Sequence, residues 1–129
     1  MRILLDTNVL IALVDGRLRA LELAMRNVVT DSKSMVHASV ASLWEIAIKV
    51  RLGKLALGIS PKLLPELFER MGLHLIAINH HHVLTVAEPE PATRDPFDRL
   101  LLAQCLIEDL RLVTIDRALL THPLAWRAG

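Results

Sequence analysis

Aromatic side chains are scarce in this chain, at 3% of residues with no tyrosine at all, which argues against a surface built to stack nucleobases. Cysteine is limited to Cys105, so an internal disulfide is excluded; the apolar neighbours of that thiol mark it as a core residue in a reducing compartment. Although 53% of the residues are apolar, no run reaches the ~20 residues a membrane span needs. The opening Met1-Arg2-Ile3-Leu4-Leu5-Asp6 lacks the layout of a signal peptide, and a cytoplasmic protein with no membrane association is expected. Basic and acidic side chains nearly balance. A net charge of +1 gives no long-range pull on a polyanion, so any nucleic-acid binding has to come from a local arrangement of the 15 Lys and Arg.

What is present is an alternation of strand and helix signals from end to end, without linker or repeat. At 129 residues the chain is expected to fold as a single domain, residues 1–129, of α/β class around a mostly parallel sheet of four to five strands. Ile3–Leu5, Ser34–Ala38, His74–Ile78 and Leu112–Ile115 read as strands, with a weaker edge strand at Leu124–Trp126. Helices are expected from Thr7 or Asn8 to Asp15, Leu18–Val29, Ser39–Leu52, Pro61 to Gly72, Asn79 to Ala87, and Asp95 to Asp109. The last is the best defined: Asp95 has N-cap chemistry, Pro96 suits the first helical position and Asp98 falls in the first turn.

Two strands end alike, Ile3-Leu4-Leu5 in Asp6 and Leu112-Val113-Thr114-Ile115 in Asp116. Strand ends are where open parallel sheets keep their sites. Neighbouring strands roughly 4.8 Å apart would bring two such carboxylates close enough to repel or to share a cation. Either aspartate alone could be a cap or turn residue; the repetition favours a site. Asp98 precedes Leu101, Leu102 and Cys105 on one apolar stripe, so it points toward the core, while Gln104, Glu108 and Arg111 read as the wet side of that helix. Glu45 reads differently. Val40, Leu43, Trp44 and Ala47 define the apolar face of its helix, and Glu45, with Lys49 one turn on, falls on the solvated side.

The blocks Asp6-Thr7-Asn8, Ser42-Leu43-Trp44-Glu45-Ile46-Ala47-Ile48-Lys49 with Gly53-Lys54-Leu55, Asp95-Pro96-Phe97-Asp98-Arg99-Leu100-Leu101-Leu102-Ala103-Gln104 and Thr114-Ile115-Asp116 together resemble the PIN domain, and within it the VapC-type toxin ribonucleases of bacterial toxin and antitoxin pairs. The resemblance spans nearly the whole chain. It implies a three-layer α/β/α sandwich whose acids gather at the carboxyl edge of the sheet and bind Mg²⁺ or Mn²⁺. It lifts Glu45 from a surface charge to a ligand: Asp6, Glu45 and Asp98 match the family's three principal acids, Asp116 its more variable fourth, and Thr7, Asn8 and Thr114 its small polar residues. Related sequences often carry a histidine where this chain has Thr93-Arg94, and an aromatic where it has Leu119-Leu120.

The activity implied is metal-dependent endoribonuclease chemistry, since carboxylate oxygens suit Mg²⁺ or Mn²⁺ and such a cation activates water at a phosphodiester. RNA, with transfer RNA as one candidate, a cognate antitoxin protein and a second copy of the chain are the partners implied. Lys49, Arg51, Lys54, Arg94 and Arg99 could hold RNA phosphates, against the ordinary reading of solvated charges. The alternative is a catalytically inactive PIN-like module that binds RNA or protein. A haloacid-dehalogenase-like site would want an aspartate where Asn8 stands, and a receiver domain an acid after the third strand, where Ile78 leads to Asn79. Consecutive side chains on a helix diverge by about 100°, so His80-His81-His82 cannot easily converge on one ion and reads as a polar helix start. His37, His74 and His122 read as structural histidines, and Trp44 and Trp126 as packing residues.

Overall fold

In a computed structural model that describes all of residues 1–129, four strands form one parallel sheet. They are β1 (Arg2–Leu5), β2 (Met35–Ser39), β3 (His74–Ile76) and β4 (Arg111–Val113), in the order β3-β2-β1-β4. The helices are α1 (Thr7–Val14), α2 (Leu23–Thr30), α3 (Val40–Arg51), α4 (Leu64–Arg70), α5 (His80–Leu84) and α6 (Pro96–Glu108). Because side chains alternate along a strand, β1 feeds two cores. Ile3 and Leu5 join Val36, Ile46, Phe68 and Val113 on one face, whereas Leu4 joins Leu101, Leu102, Cys105 and Leu112 on the other. Helices cover both faces, as an all-parallel sheet requires. The architecture is the expected α/β sandwich.

The chain passes from β1 to β2 to β3 on one side and returns to β4 on the other, so the strand order reverses between β1 and β4. That is the crevice where open α/β sheets hold ligands. Register sharpens the expectation drawn from the two strand ends. Leu5 pairs with Val113, so Asp6 is level with Thr114, and Asp116 lies two residues further out.

Several expected elements are shorter or broken. The stretch Leu18–Val29 is a 3₁₀ turn, Leu18–Ala20, followed by α2, because Leu21 and Glu22 adopt extended backbone that turns Leu21 into the core. The helix after Pro61 likewise opens as a 3₁₀ turn, Pro61–Leu63, before α4. Thr85 is extended and closes α5 early, its hydroxyl donating to the His81 carbonyl at 2.6 Å. The C-terminal edge strand reduces to a single bridge between Leu112 and Ala125.

Two assigned faces also change. On α3 the buried residues are Ala41, Ser42, Glu45 and Ile46, while Trp44 is 61% exposed, edge-on to Phe97 at 5.5 Å between ring centroids. Trp44 is therefore a surface residue; Trp126 does pack on the core. On α6, Gln104 is fully buried: it accepts from the Ser39 hydroxyl at 2.5 Å and donates to the Ala77 carbonyl at 3.3 Å.

Three of the histidines are structural, whereas His74, expected to be another, is exposed against the His37 ring at 5.3 Å between centroids, and His80 and His81 are exposed at the start of α5. His82 closes a capping box with Asn79, His37 bonds the Ile3 carbonyl, and His122 bonds the Pro89 carbonyl at 2.8 Å. Burial raises the Cys105 thiol far above its ordinary range, as befits a core residue.

Candidate metal centre

Asp6 leaves β1 at the carboxyl edge and is itself the N-cap of α1, the position expected of Thr7 or Asn8. Its Oδ1 accepts from the Thr7 backbone N–H at 2.8 Å and its Oδ2 from the Thr114 hydroxyl at 2.6 Å. Thr114 in turn accepts from the Asp116 backbone N–H at 3.0 Å, which ties the end of β4 to the same carboxylate. The Asp116 carboxylate accepts from the Ala118 N–H at 2.9 Å, so it is a turn residue as well as a neighbour of the site.

Glu45 reaches this edge from α3. It is 9% exposed, its Oε1 accepting from the Thr7 hydroxyl at 2.8 Å and its Oε2 held by Lys49 Nζ at 2.7 Å, one helical turn away. Ser42 shares the Thr7 hydroxyl at 2.9 Å. Asp98 arrives from the first turn of α6, where Asp95 accepts from the Phe97 N–H at 2.9 Å and Pro96 opens the helix, as the sequence predicts. A helix N-terminus favours an acid there. Asp98 is buried, with 7% exposure.

The acids feel one another. Desolvation raises the Asp6 carboxyl, partly opposed by its bonds from Thr114 and Thr7, and the charges of Glu45 and Asp116 raise it further. Desolvation is also the largest cause at Asp98, joined by the charges of Asp6, Asp95 and Asp116, and pushes it up to about 7. Only Glu45 has a Lys or Arg within 4.0 Å; Asp6, Asp98 and Asp116 have none. Buried carboxylates of one sign want a cation, and this donor set of hard oxygens suits Mg²⁺ or Mn²⁺. As they stand, no three of these groups are close enough together to grip one ion, and Lys49 is the counter-charge Glu45 has.

The remaining expected residues separate. Asn8 is exposed on the first turn of α1 beside the acids. Lys49 and Lys54 line one pocket, whereas Arg51 is exposed at the end of α3 outside that lining. Arg94 is exposed, and Arg99 is engaged with Glu90 at 3.4 Å and the Thr93 carbonyl at 3.1 Å. Arg17, which had no place among the candidates, joins Lys49 and Lys54. Its signal was Gly16 directly before it, the same glycine-cation step as Gly53-Lys54.

A parallel sheet with its acids at the β1/β4 crevice defines a class of α/β domain with a polar site at the strand ends. The PIN domain pattern matches residues 3–122, and the chain belongs to that family. PIN domains are generally nucleases. No curated protein matches the chain.

Proposed function

We propose that this PIN domain is a Mg²⁺- or Mn²⁺-dependent endoribonuclease and the VapC-type toxin of a toxin and antitoxin pair. The observation that carries the reading is the mutual charge of Asp6, Asp98 and Asp116, three acids at one sheet edge with no basic side chain to match them. A divalent cation bound there would supply an activated water and neutralise charge at the phosphate.

Asp6 and Asp98 are assigned to the principal cation, Glu45 to a ligand or to placing the attacking water, and Asp116 to an outer position. The chain's own residues pre-set this arrangement. Thr7 and Thr114 fix both oxygens of Asp6 while leaving lone pairs free, and Thr7 and Lys49 hold Glu45 in a single orientation. Such supporting bonds orient ligands and set their basicity.

The alternative, an inactive module that binds RNA or protein, is favoured by one observation: Lys49 already neutralises Glu45. One assay separates the two. Purified protein is incubated with mixed RNAs, transfer RNA included, with Mn²⁺ or Mg²⁺ and with chelator. Cleavage that chelator stops, and that falls at least ~100-fold in a folded Asp98→Asn variant, supports the nuclease. Induced expression should then arrest growth, with relief by a co-expressed antitoxin. Cleavage unchanged in Asp98→Asn refutes the assignment, and no cleavage with no cation binding by calorimetry favours the inactive module.

A further inference from the structure

We propose that the pocket between α1, the turn Leu18–Ala20 and the carboxyl end of α3 is a nucleotide subsite, holding one residue of a single-stranded RNA beside the bond to be cut. The inference rests on the nuclease reading above and adds where the substrate runs.

The pocket, of about 390 Å³, is lined by three residues that neighbour the acids. Asn8 stands two positions after Asp6, Lys49 is the ion-pair partner of Glu45, and Ile115 lies between Thr114 and Asp116. A strand threaded past the metal centre would enter this pocket next. Its volume is within the range of ordinary small-ligand sites, roughly 300–1,000 Å³.

Its charge is of one sign. Arg17, Lys49 and Lys54 line it, and no carboxylate does. Arg17 is paired with Asp15 and Lys49 with Glu45, which leaves Lys54 as the cation without an acid within 4.0 Å. Local geometry explains how Arg17 and Lys54 arrive. Gly16 and Gly53 both adopt left-handed backbone after a helix, and the next residue folds back to donate across the last turn, Arg17 N–H to the Ala12 carbonyl and Lys54 N–H to the Lys49 carbonyl, each at 2.8 Å. A cation at a helix carboxyl end complements the dipole, which accounts for one such residue at each helix. It does not account for both helices aiming theirs at a common hollow.

The rest of the lining is largely aliphatic, with Ile11 and Leu21 buried and Leu55 half-buried. Cations beside an aliphatic lining match a nucleotide held by its phosphate, with the base resting in apolar contact and not stacked on an aromatic ring. The opposite flank offers less. There the hollow beside α5 is lined by Glu90, which repels phosphate and already engages Arg99.

The test uses the full chain carrying Asp98→Asn, so that RNA is bound and not cut, with a six-nucleotide single-stranded RNA and a nucleoside 5′-monophosphate as probes. Backbone NMR shifts should move at Asn8, Ile11, Leu21 and Leu55 with either probe. Lys54→Glu and Arg17→Glu, both at exposed positions, should each weaken RNA binding about tenfold and flatten its salt dependence by about 0.7 in log-log slope per cation lost. Lys33→Glu, exposed between α2 and β2, carries the same charge change and should leave binding as it was. If the chain without Asp98→Asn cuts RNA but Lys54→Glu and Arg17→Glu keep its KM and salt slope, the subsite is overturned and the nuclease reading stands. If that chain neither cuts nor binds RNA, the nuclease reading falls and takes the subsite with it.

Discussion

Asp6 caps α1 with one carboxylate oxygen and takes the Thr114 hydroxyl on the other, so the cap and site readings that compete in the sequence are both true of it. Asp98 bears more strain. Its carboxyl titrates at about 7 in the fold against an ordinary 3.8, chiefly because burial disfavours its charge. Between those two pH values the folded chain retains a proton that the unfolded chain has released, and stability therefore falls as pH rises from about 4 to about 7. In chelator, urea unfolding at pH 5 and pH 8 should show the parent losing more stability on the rise than Asp98→Asn does. Equal losses would mean that Asp98 is not held at this cost. Asp98 was legible from sequence because the stripe it begins, Leu101, Leu102 and Cys105, is wholly buried. Glu45 was legible only through the family resemblance, because its burial depends on Thr7 and Lys49, which satisfy its two oxygens from α1 and α3.

At the scale of the element, helix termini were easier to read than helix faces. Asp95-Pro96 and Gly53 mark their ends by local chemistry, and both stand where the sequence puts them. Faces are set by what packs across from them. Gln104 looks like a solvated residue on its own helix, yet α5 and β2 enclose it and supply partners for its amide. Gln104→Leu should therefore destabilise the domain by about 1–3 kcal/mol, since the Ser39 hydroxyl and the Ala77 carbonyl lose a buried partner. Chemical denaturation measures this, and a change below ~0.5 kcal/mol would show the network to be dispensable. Trp44 is the converse: an apolar residue placed outward, beside the acid at position 45.

For the molecule as a whole, some large apolar side chains stay at the surface. Val83, Leu84 and Val86 are 58%, 79% and 55% exposed in near succession. Contiguous exposed apolar area marks an interaction surface, and we propose that the second copy implied by the family resemblance covers these side chains. Light scattering should give about twice the 14.4 kDa chain mass, with Leu84→Glu returning it to a monomer. A monomer at micromolar concentration in the parent protein would refute the dimer.

The order of strands and helices, the parallel α/β class and the helix ends marked by Asp95-Pro96 and Gly53 were decided by the sequence itself, because hydrophobic period, caps and glycines act within a few residues of their position. The register that sets Asp6 level with Thr114, the inward turn of Glu45 and Gln104, and the meeting of Arg17 with Lys54 were decided only by the tertiary structure. Each of these depends on groups far apart in the chain, and a polar side chain shows no sign of burial until the partner that compensates its desolvation is beside it.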